Sequence, residues 1–140
     1  RLILGQSIPK PEYLARYRTA DLFLDTHPYN AGTTASDALK MGLPMITYLG
    51  QSYQARMGAS ILTSINLPEL ITNTPEEYEA LAIELATNPG KLKAIKDKLK
   101  GNLSTAPLYD TKLFAKNIES AYTQIYKRHH EGLDPDHIYV

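Results

Sequence analysis

The sequence predicts an α/β domain built on a parallel sheet. Short apolar runs of strand length alternate with segments of helical period from the start of the chain, and the connections between them are short. The apolar runs are also nearly unbroken, as expected of parallel strands whose crossover helices cover both faces of the sheet.

The run "LILG", Leu2 to Gly5, is the first predicted strand. Pro11 suits the first turn of a following helix, which carries Tyr13, Leu14 and Tyr17 on one side. "DLFLDT", Asp21 to Thr26, is the second strand, and "PMITYLG", Pro44 to Gly50, the third; the helix between them is stopped by Gly42. Tyr53 to Ile65 reads as one helix with Met57, Ile61, Leu62 and Ile65 at helical spacing, and "LPELIT" offers a short fourth strand.

After Thr72 the pattern is helical only. Thr74, Pro75 and Glu77 form a start signal in which threonine caps, proline fits the first turn and glutamate completes a capping box. Residues 88–90, "NPG", break that helix, and Leu92, Ile95 and Leu99 resume the period among five lysines that read as a solvated face. Asp110 caps a last helix bearing Leu113, Phe114, Ile118, Tyr122 and Ile125, and the tail "HHEGLDPDHIYV" has no regular pattern.

Composition narrows the function. The 140 residues are 43% hydrophobic and 21% charged, enough for one globular core and unlike a disordered chain. Fifteen basic and fifteen acidic residues balance, so no strong field points to nucleic acid or to an anionic membrane. There is no cysteine, which removes thiolate metal sites, disulfides and a cysteine nucleophile. The four histidines lack metal-ligand spacing, and no apolar run approaches a membrane span. Arg1 stands directly against an apolar strand in place of a methionine, which suggests a piece of a longer chain; an excised half-sheet would leave an open edge and favour self-association.

In an open parallel sheet, ligands bind outside the carboxyl ends of the strands. The richest loop there is "THPYNAGTT". A helix N-terminus carries roughly half a positive charge and unpaired N–H groups. Gly32 would allow close backbone approach, and the Thr33 and Thr34 hydroxyls suit phosphate oxygens. Asp37, about one turn on, is a poor neighbour for phosphate and a good acceptor for ribose hydroxyls. Thr34 and Asp37 also have capping-box spacing, with Asp in place of Glu or Gln, so the cluster reads equally as a helix start. Lys10 and Arg16 read either as cations reaching the same anion or as surface charges, and Arg56 as a third cation or a partner for an acid. Neither the Gly-rich dinucleotide fingerprint nor a phosphate-binding loop with its lysine is present.

The stretch "IPKPEYLARYRTADLFLDTHPYNAGTTASDALKMGLPMITYLGQSYQARMGASIL", continued through "LPELI" and "APLYDTKLFAKNIESAY", resembles the C-terminal catalytic region of the O-GlcNAc transferase family, in its bacterial form. The resemblance implies a Rossmann-like parallel sheet with flanking helices, the latter part of the C-terminal half of a GT-B glycosyltransferase. It implies one UDP-sugar-binding fragment over residues 1–140, with 74–128 as its helical C-terminal segment. The implied reaction moves N-acetylglucosamine from UDP-GlcNAc to serine or threonine of proteins, with inversion, without a metal or other cofactor, in the cytoplasm. Protein acceptors would be met through regions outside this chain, and neither nucleic acid nor membrane is an expected partner.

Residue by residue, the resemblance puts the Ile8 backbone and Lys10 on the uridine and Arg16 at a further nucleotide-side position. It puts Thr33 and Thr34 on the diphosphate and Asp37 on the ribose. Gly32 and Tyr13 stand where animal members carry histidine, so the donor sugar is less determined than the nucleotide, and UDP-glucose transfer to asparagine is an alternative. The family's catalytic base and the lysine supporting the leaving diphosphate match no position here, so no catalytic residue is assigned and the fragment alone is expected to be inactive. Two further readings are a scaffold of the same shape and a receiver domain phosphorylated at Asp25, although "LILGQS" lacks the acidic pair and "LITNTPEEY" the lysine that a receiver needs.

Overall fold

A computed structural model describes residues 2–140. The chain divides into two units, the second being Tyr109–Val140. The first holds three parallel strands, β1 (Phe23–Leu24), β2 (Met45–Tyr48) and β3 (Ile71–Thr72), in the order β1-β2-β3. Phe23 pairs with Met45 and Leu24 with Ile46 across β1 and β2, while Thr47 pairs with Ile71 and Tyr48 with Thr72 across β2 and β3. This is the α/β class with a parallel sheet and flanking helices that the alternation predicts.

Helices α1 (Lys10–Arg16), α2 (Thr33–Lys40) and α3 (Met57–Ser64) alternate with the strands, and α4 (Pro75–Thr87) and α5 (Pro89–Asn102) follow the sheet. Met45 and Ile46 are consecutive in β2 and both fully buried. Successive strand residues point to opposite faces, so both faces of the central strand are covered. Leu39, Leu62, Ile65, Leu67, Leu70, Leu85 and Leu99 complete the core.

The helix ends follow their sequence signals. Gly42, at φ +83°, ends α2, with its own N–H on the Leu39 carbonyl and the Leu43 N–H on the Ala38 carbonyl. The Thr74 hydroxyl accepts from the Glu77 N–H at 3.1 Å, and the Glu77 carboxylate accepts from the Asn73 N–H at 2.8 Å. Asn88 caps α5 by accepting from the Lys91 N–H at 3.0 Å. The lysines of α5 lie outward in exposed ion pairs, among them Lys96 with Asp21 and Lys98 with Glu69, both at 2.7 Å.

Three expectations change. Leu2 to Gly5 form no strand: Leu2, Ile3 and Leu4 are 95%, 81% and 93% exposed. A strand needs a ladder partner; β1 donates from Phe23 and Asp25 to Pro44 and Ile46 on the β2 side, and among the described residues no strand pairs with its outer edge. The predicted helix at 53–65 begins instead with a 3₁₀ turn, Gln54–Arg56, before α3. The "LPELIT" strand shrinks to Ile71–Thr72 because Pro68–Leu70 form another 3₁₀ turn; Pro68 lacks the N–H a strand would use.

In the second unit, α6 (Thr111–His130) starts at Asp110, whose carboxylate accepts from the Leu113 N–H at 2.9 Å. Its tail is irregular and folds back so that the Arg128 guanidinium donates to the Asp134 carbonyl at 2.8 Å.

Candidate functional site

The carboxyl ends of β1 and β2 open onto two loops, 25–32 and 49–53. The first is held from beneath by buried polar groups. Asp25 is 6% exposed, and one carboxylate oxygen accepts from the N–H groups of Thr26 at 2.9 Å and Ala31 at 2.7 Å. The other accepts from the Thr47 hydroxyl at 2.7 Å. Asn30, 2% exposed, donates to the Thr26 carbonyl at 2.8 Å and accepts from the Gly58 N–H at 3.3 Å. Gly58 has no room for a side chain: a Cβ there would lie 2.5 Å from an Asp25 carboxylate oxygen and collide with the Thr47 hydroxyl.

From outside, the Tyr78 hydroxyl donates to the Asp25 carbonyl at 2.9 Å. Burial, and then the Asp25 charge, push its pKa up to about 12, so it stays a donor at neutral pH. Asp25 is thus buried and engaged by three protein donors, unlike the accessible acceptor that the receiver reading needs.

This loop delivers the first turn of α2. Gly32 is the N-cap residue, its carbonyl accepting from the Ser36 N–H at 3.0 Å, and no side chain caps the helix. The capping-box alternative for Thr34 and Asp37 therefore does not hold. Thr34 is already inside the helix, and Asp37 faces α1 instead. The side chains of Thr33 and Thr34 are exposed at the leading end of α2. Gly32 itself has space beside it, with Met57 Cγ 3.9 Å from where a Cβ would stand. A cavity of about 110 Å³ opens there among Tyr29, Asn30, Gly32, Tyr53, Gln54 and Met57.

Helix α1 supplies the opposite wall. The Lys10 ammonium lies 3.2 Å from the Asp37 carboxylate, joining residues far apart in sequence. Tyr13 and Tyr17 share a hydroxyl-to-hydroxyl hydrogen bond, and the Tyr17 hydroxyl also donates to the Thr34 carbonyl at 3.3 Å. Ile8, half-buried, enters this helix through Pro9.

Arg16 turns away to the preceding segment, donating to the Gln6 carbonyl at 3.2 Å, so its guanidinium is not gathered with Thr33 and Thr34. Arg56 donates to the Gln51 carbonyl at 2.6 Å and bridges the second loop rather than meeting an acid. The tight turn of that loop depends on Gly50, where a Cβ would lie 2.5 Å from the Ala55 Cβ and 2.9 Å from the His27 ring.

Sequence reasoning brought forward Lys10, Tyr13, Gly32, Thr33, Thr34 and Asp37, and these sit along the facing parts of α1 and α2. It missed Asn30, Thr47, Gly58, Tyr78 and Tyr17 as supports. Only Thr47 carried a signal, a polar residue inside an otherwise apolar strand. Among the described residues no group of three or more His, Cys, Asp or Glu could hold a metal ion, and no helix is long and apolar enough to cross a membrane.

The strand-to-helix turn thus brings together a helix terminus and two exposed hydroxyls, with an acid one turn on and paired to a cation from α1. Residues 1–118 match the family model described as glycosyl transferase family 41, and the chain belongs to that family. It is 37% identical over its whole length to a probable UDP-N-acetylglucosamine–peptide N-acetylglucosaminyltransferase, SEC, of Arabidopsis thaliana. It is 32% identical over 99% of its length to the UDP-N-acetylglucosamine–peptide N-acetylglucosaminyltransferase of Caenorhabditis elegans. Among solved structures, a mutant O-GlcNAc transferase of Thermobaculum terrenum superposes with a TM-score of 0.80 at 34% identity over 85% of the chain. The chain spans 14% and 12% of the two relatives and 23% of that solved chain.

Proposed function

We propose that this chain is the donor-binding portion of an inverting glycosyltransferase that moves N-acetylglucosamine from UDP-GlcNAc to serine or threonine of proteins. The observation that carries this reading is the pairing of Lys10 with Asp37 at 3.2 Å across from the exposed Thr33 and Thr34. The pair joins the residue proposed for the uridine to the one proposed for the ribose, on the helix that also carries Thr33 and Thr34. The family membership and the names of the relatives supply the donor and the acceptor class.

In this reading the Ile8 backbone and Lys10 meet the uridine, Asp37 takes the ribose hydroxyls, and Thr33 and Thr34 donate to the diphosphate at the N-terminus of α2. Tyr13 and Gly32 line the same path, and Arg16 contributes from the nucleotide side once its bond to Gln6 is exchanged. As the acceptor hydroxyl attacks the anomeric carbon, the sugar–phosphate bond breaks and charge accumulates on the departing UDP. Helix N–H groups and hydroxyls fixed in advance stabilise that charge without a metal ion. The residues that accept the proton and act on the sugar belong to segments outside this chain, and the reaction takes place in the cytoplasm.

Calorimetric titration of UDP into the protein as its gene encodes it tests the binding step. Saturable heat is expected, reduced at least tenfold in affinity when Thr33 and Thr34 are both changed to Ala. No heat at millimolar UDP overturns the reading, and competition between UDP-GlcNAc and UDP-glucose decides the sugar.

A further inference from the structure

We infer that Tyr17 is a positioning residue for the nucleotide site, holding the helix of Lys10 and Tyr13 in register with the first turn of the helix that carries Thr33, Thr34 and Asp37. The inference rests on the nucleotide reading above for its ligand, and on the hydroxyl bridge for its geometry.

Tyr17 is anchored by its ring and acts through its oxygen. The ring meets Tyr13 edge-on, with centroids 5.2 Å apart, and lies 6.5 Å from the ring of Phe23 in β1. The sheet therefore fixes where the hydroxyl stands. That hydroxyl donates to the Thr34 carbonyl, so in the tyrosine pair the proton between the two oxygens comes from Tyr13. Tyr13 keeps its lone pairs as an acceptor. Burial raises the Tyr17 pKa well above the ordinary tyrosine value, and the Asp37 charge acts in the same direction. The Tyr17 hydroxyl consequently keeps the proton it donates throughout the neutral range.

A second tie joins the same helices, the Lys10–Asp37 ion pair, and the two ties differ in kind. Lys10 is 65% exposed, so its pair is weak and screened. A ribose whose hydroxyls take the Asp37 carboxylate, and a base that takes Lys10, compete directly with that pair and open it. The Tyr17 bond goes to a backbone carbonyl that no ligand atom needs, so it survives the exchange. The pair acts as a latch that the nucleotide replaces, while Tyr17 keeps the two walls at the spacing the nucleotide spans. Sequence reading placed Tyr17 with Tyr13 and Leu14 on one side of the first helix; in the structure it opens the 3₁₀ turn Tyr17–Thr19 that follows α1, and its hydroxyl reaches α2.

Tyr17→Phe keeps the ring and removes the bridge. Hydrogen exchange read by mass spectrometry, without nucleotide, is expected to quicken within residues 33–38 and to stay unchanged in β2 and α3. UDP affinity is expected to fall about three- to tenfold, the range of one net hydrogen bond, with the unfolding midpoint nearly unmoved. Tyr13→Phe leaves the Tyr17–Thr34 bond in place and is expected to leave exchange at 33–38 unchanged. Unaltered exchange at 33–38 in Tyr17→Phe overturns the inference, as does faster exchange spread evenly over β2 and α3, which marks a merely structural tyrosine. A wild type that ignores UDP overturns the nucleotide reading alone; the exchange pattern still decides whether Tyr17 sets the first turn of α2.

Discussion

Asp25 and Asp37 bracket the same loop and helix, yet their surroundings are opposite. Asp25 is sealed beneath the loop and accepts from Thr26, Ala31 and Thr47. Asp37 lies on the rim against an ammonium that is 65% exposed. A buried carboxylate that already holds three protein donors has little left for a ligand, whereas one paired with a largely exposed lysine can trade that partner for sugar hydroxyls. The region is thus divided into two layers: a lower, buried framework of Asp25, Asn30, Thr47 and Gly58, and an upper, more exposed rim of Lys10, Thr33, Thr34 and Asp37, which is the proposed binding layer.

The strongest attempt to break that division is Asp25→Ala. It removes the acceptor of three hydrogen bonds and leaves the Thr47 hydroxyl and the Ala31 N–H without a partner in a buried setting. A loss of roughly 3–5 kcal/mol is expected, at the high end for a single substitution, and is read from urea unfolding. The Thr33→Ala, Thr34→Ala double variant removes two exposed hydroxyls and is expected to stay within about 0.5 kcal/mol of the parent in the same measurement. A rim pair as costly to stability as Asp25 would dissolve the two layers into one.

Two glycines make the same comparison sharper. Gly58→Ala drives a methyl group to within 2.5 Å of the Asp25 carboxylate and into the Thr47 hydroxyl, both buried. Overpacking of this sort costs about 1–3 kcal/mol. At Gly32 the nearest heavy atom to an added Cβ is 3.9 Å away, and the backbone angles are negative in φ. Gly32→Ala is therefore expected to cost about 0.5–1 kcal/mol, the preference of an N-cap for Gly over Ala, with no clash added. Thermal unfolding of the two variants side by side checks the contrast, and equal losses would count against it.

The upper layer was the legible one. Gly, Thr, Thr and Asp at a strand-to-helix junction announce themselves by residue type, and Lys10 by its charge. The lower layer is built from residue types that look ordinary one at a time: a threonine in a strand, an asparagine in a loop, a glycine near the start of a helix. Their role exists only because β1, β2 and α3 converge, so a linear pattern does not carry it. The same reason explains Leu2 to Gly5. Strand character is readable in an apolar run, but the ladder partner that turns the run into a strand is a property of the assembled sheet, and among the described residues Leu2 to Gly5 pair with no strand. Helix caps are local and were read correctly at Gly42, Thr74 and Asp110.

The smallest effect tests the rim from within. Lys10 and Asp37 are joined at 3.2 Å, and a reader of contacts alone would count the pair as part of the framework. The ammonium, however, keeps most of its water, so attraction is screened and ordering a long side chain offsets part of what remains. A double-mutant cycle of Lys10→Ala with Asp37→Ala, followed by urea unfolding, is expected to return a coupling of at most about 0.5 kcal/mol, falling further as salt is added. In the same variants UDP titration is expected to show the larger change, with each single substitution weakening binding at least tenfold. A coupling above about 1 kcal/mol that resists salt would move Asp37 into the framework beside Asp25, and the rim would then lack an acid free to take the ribose.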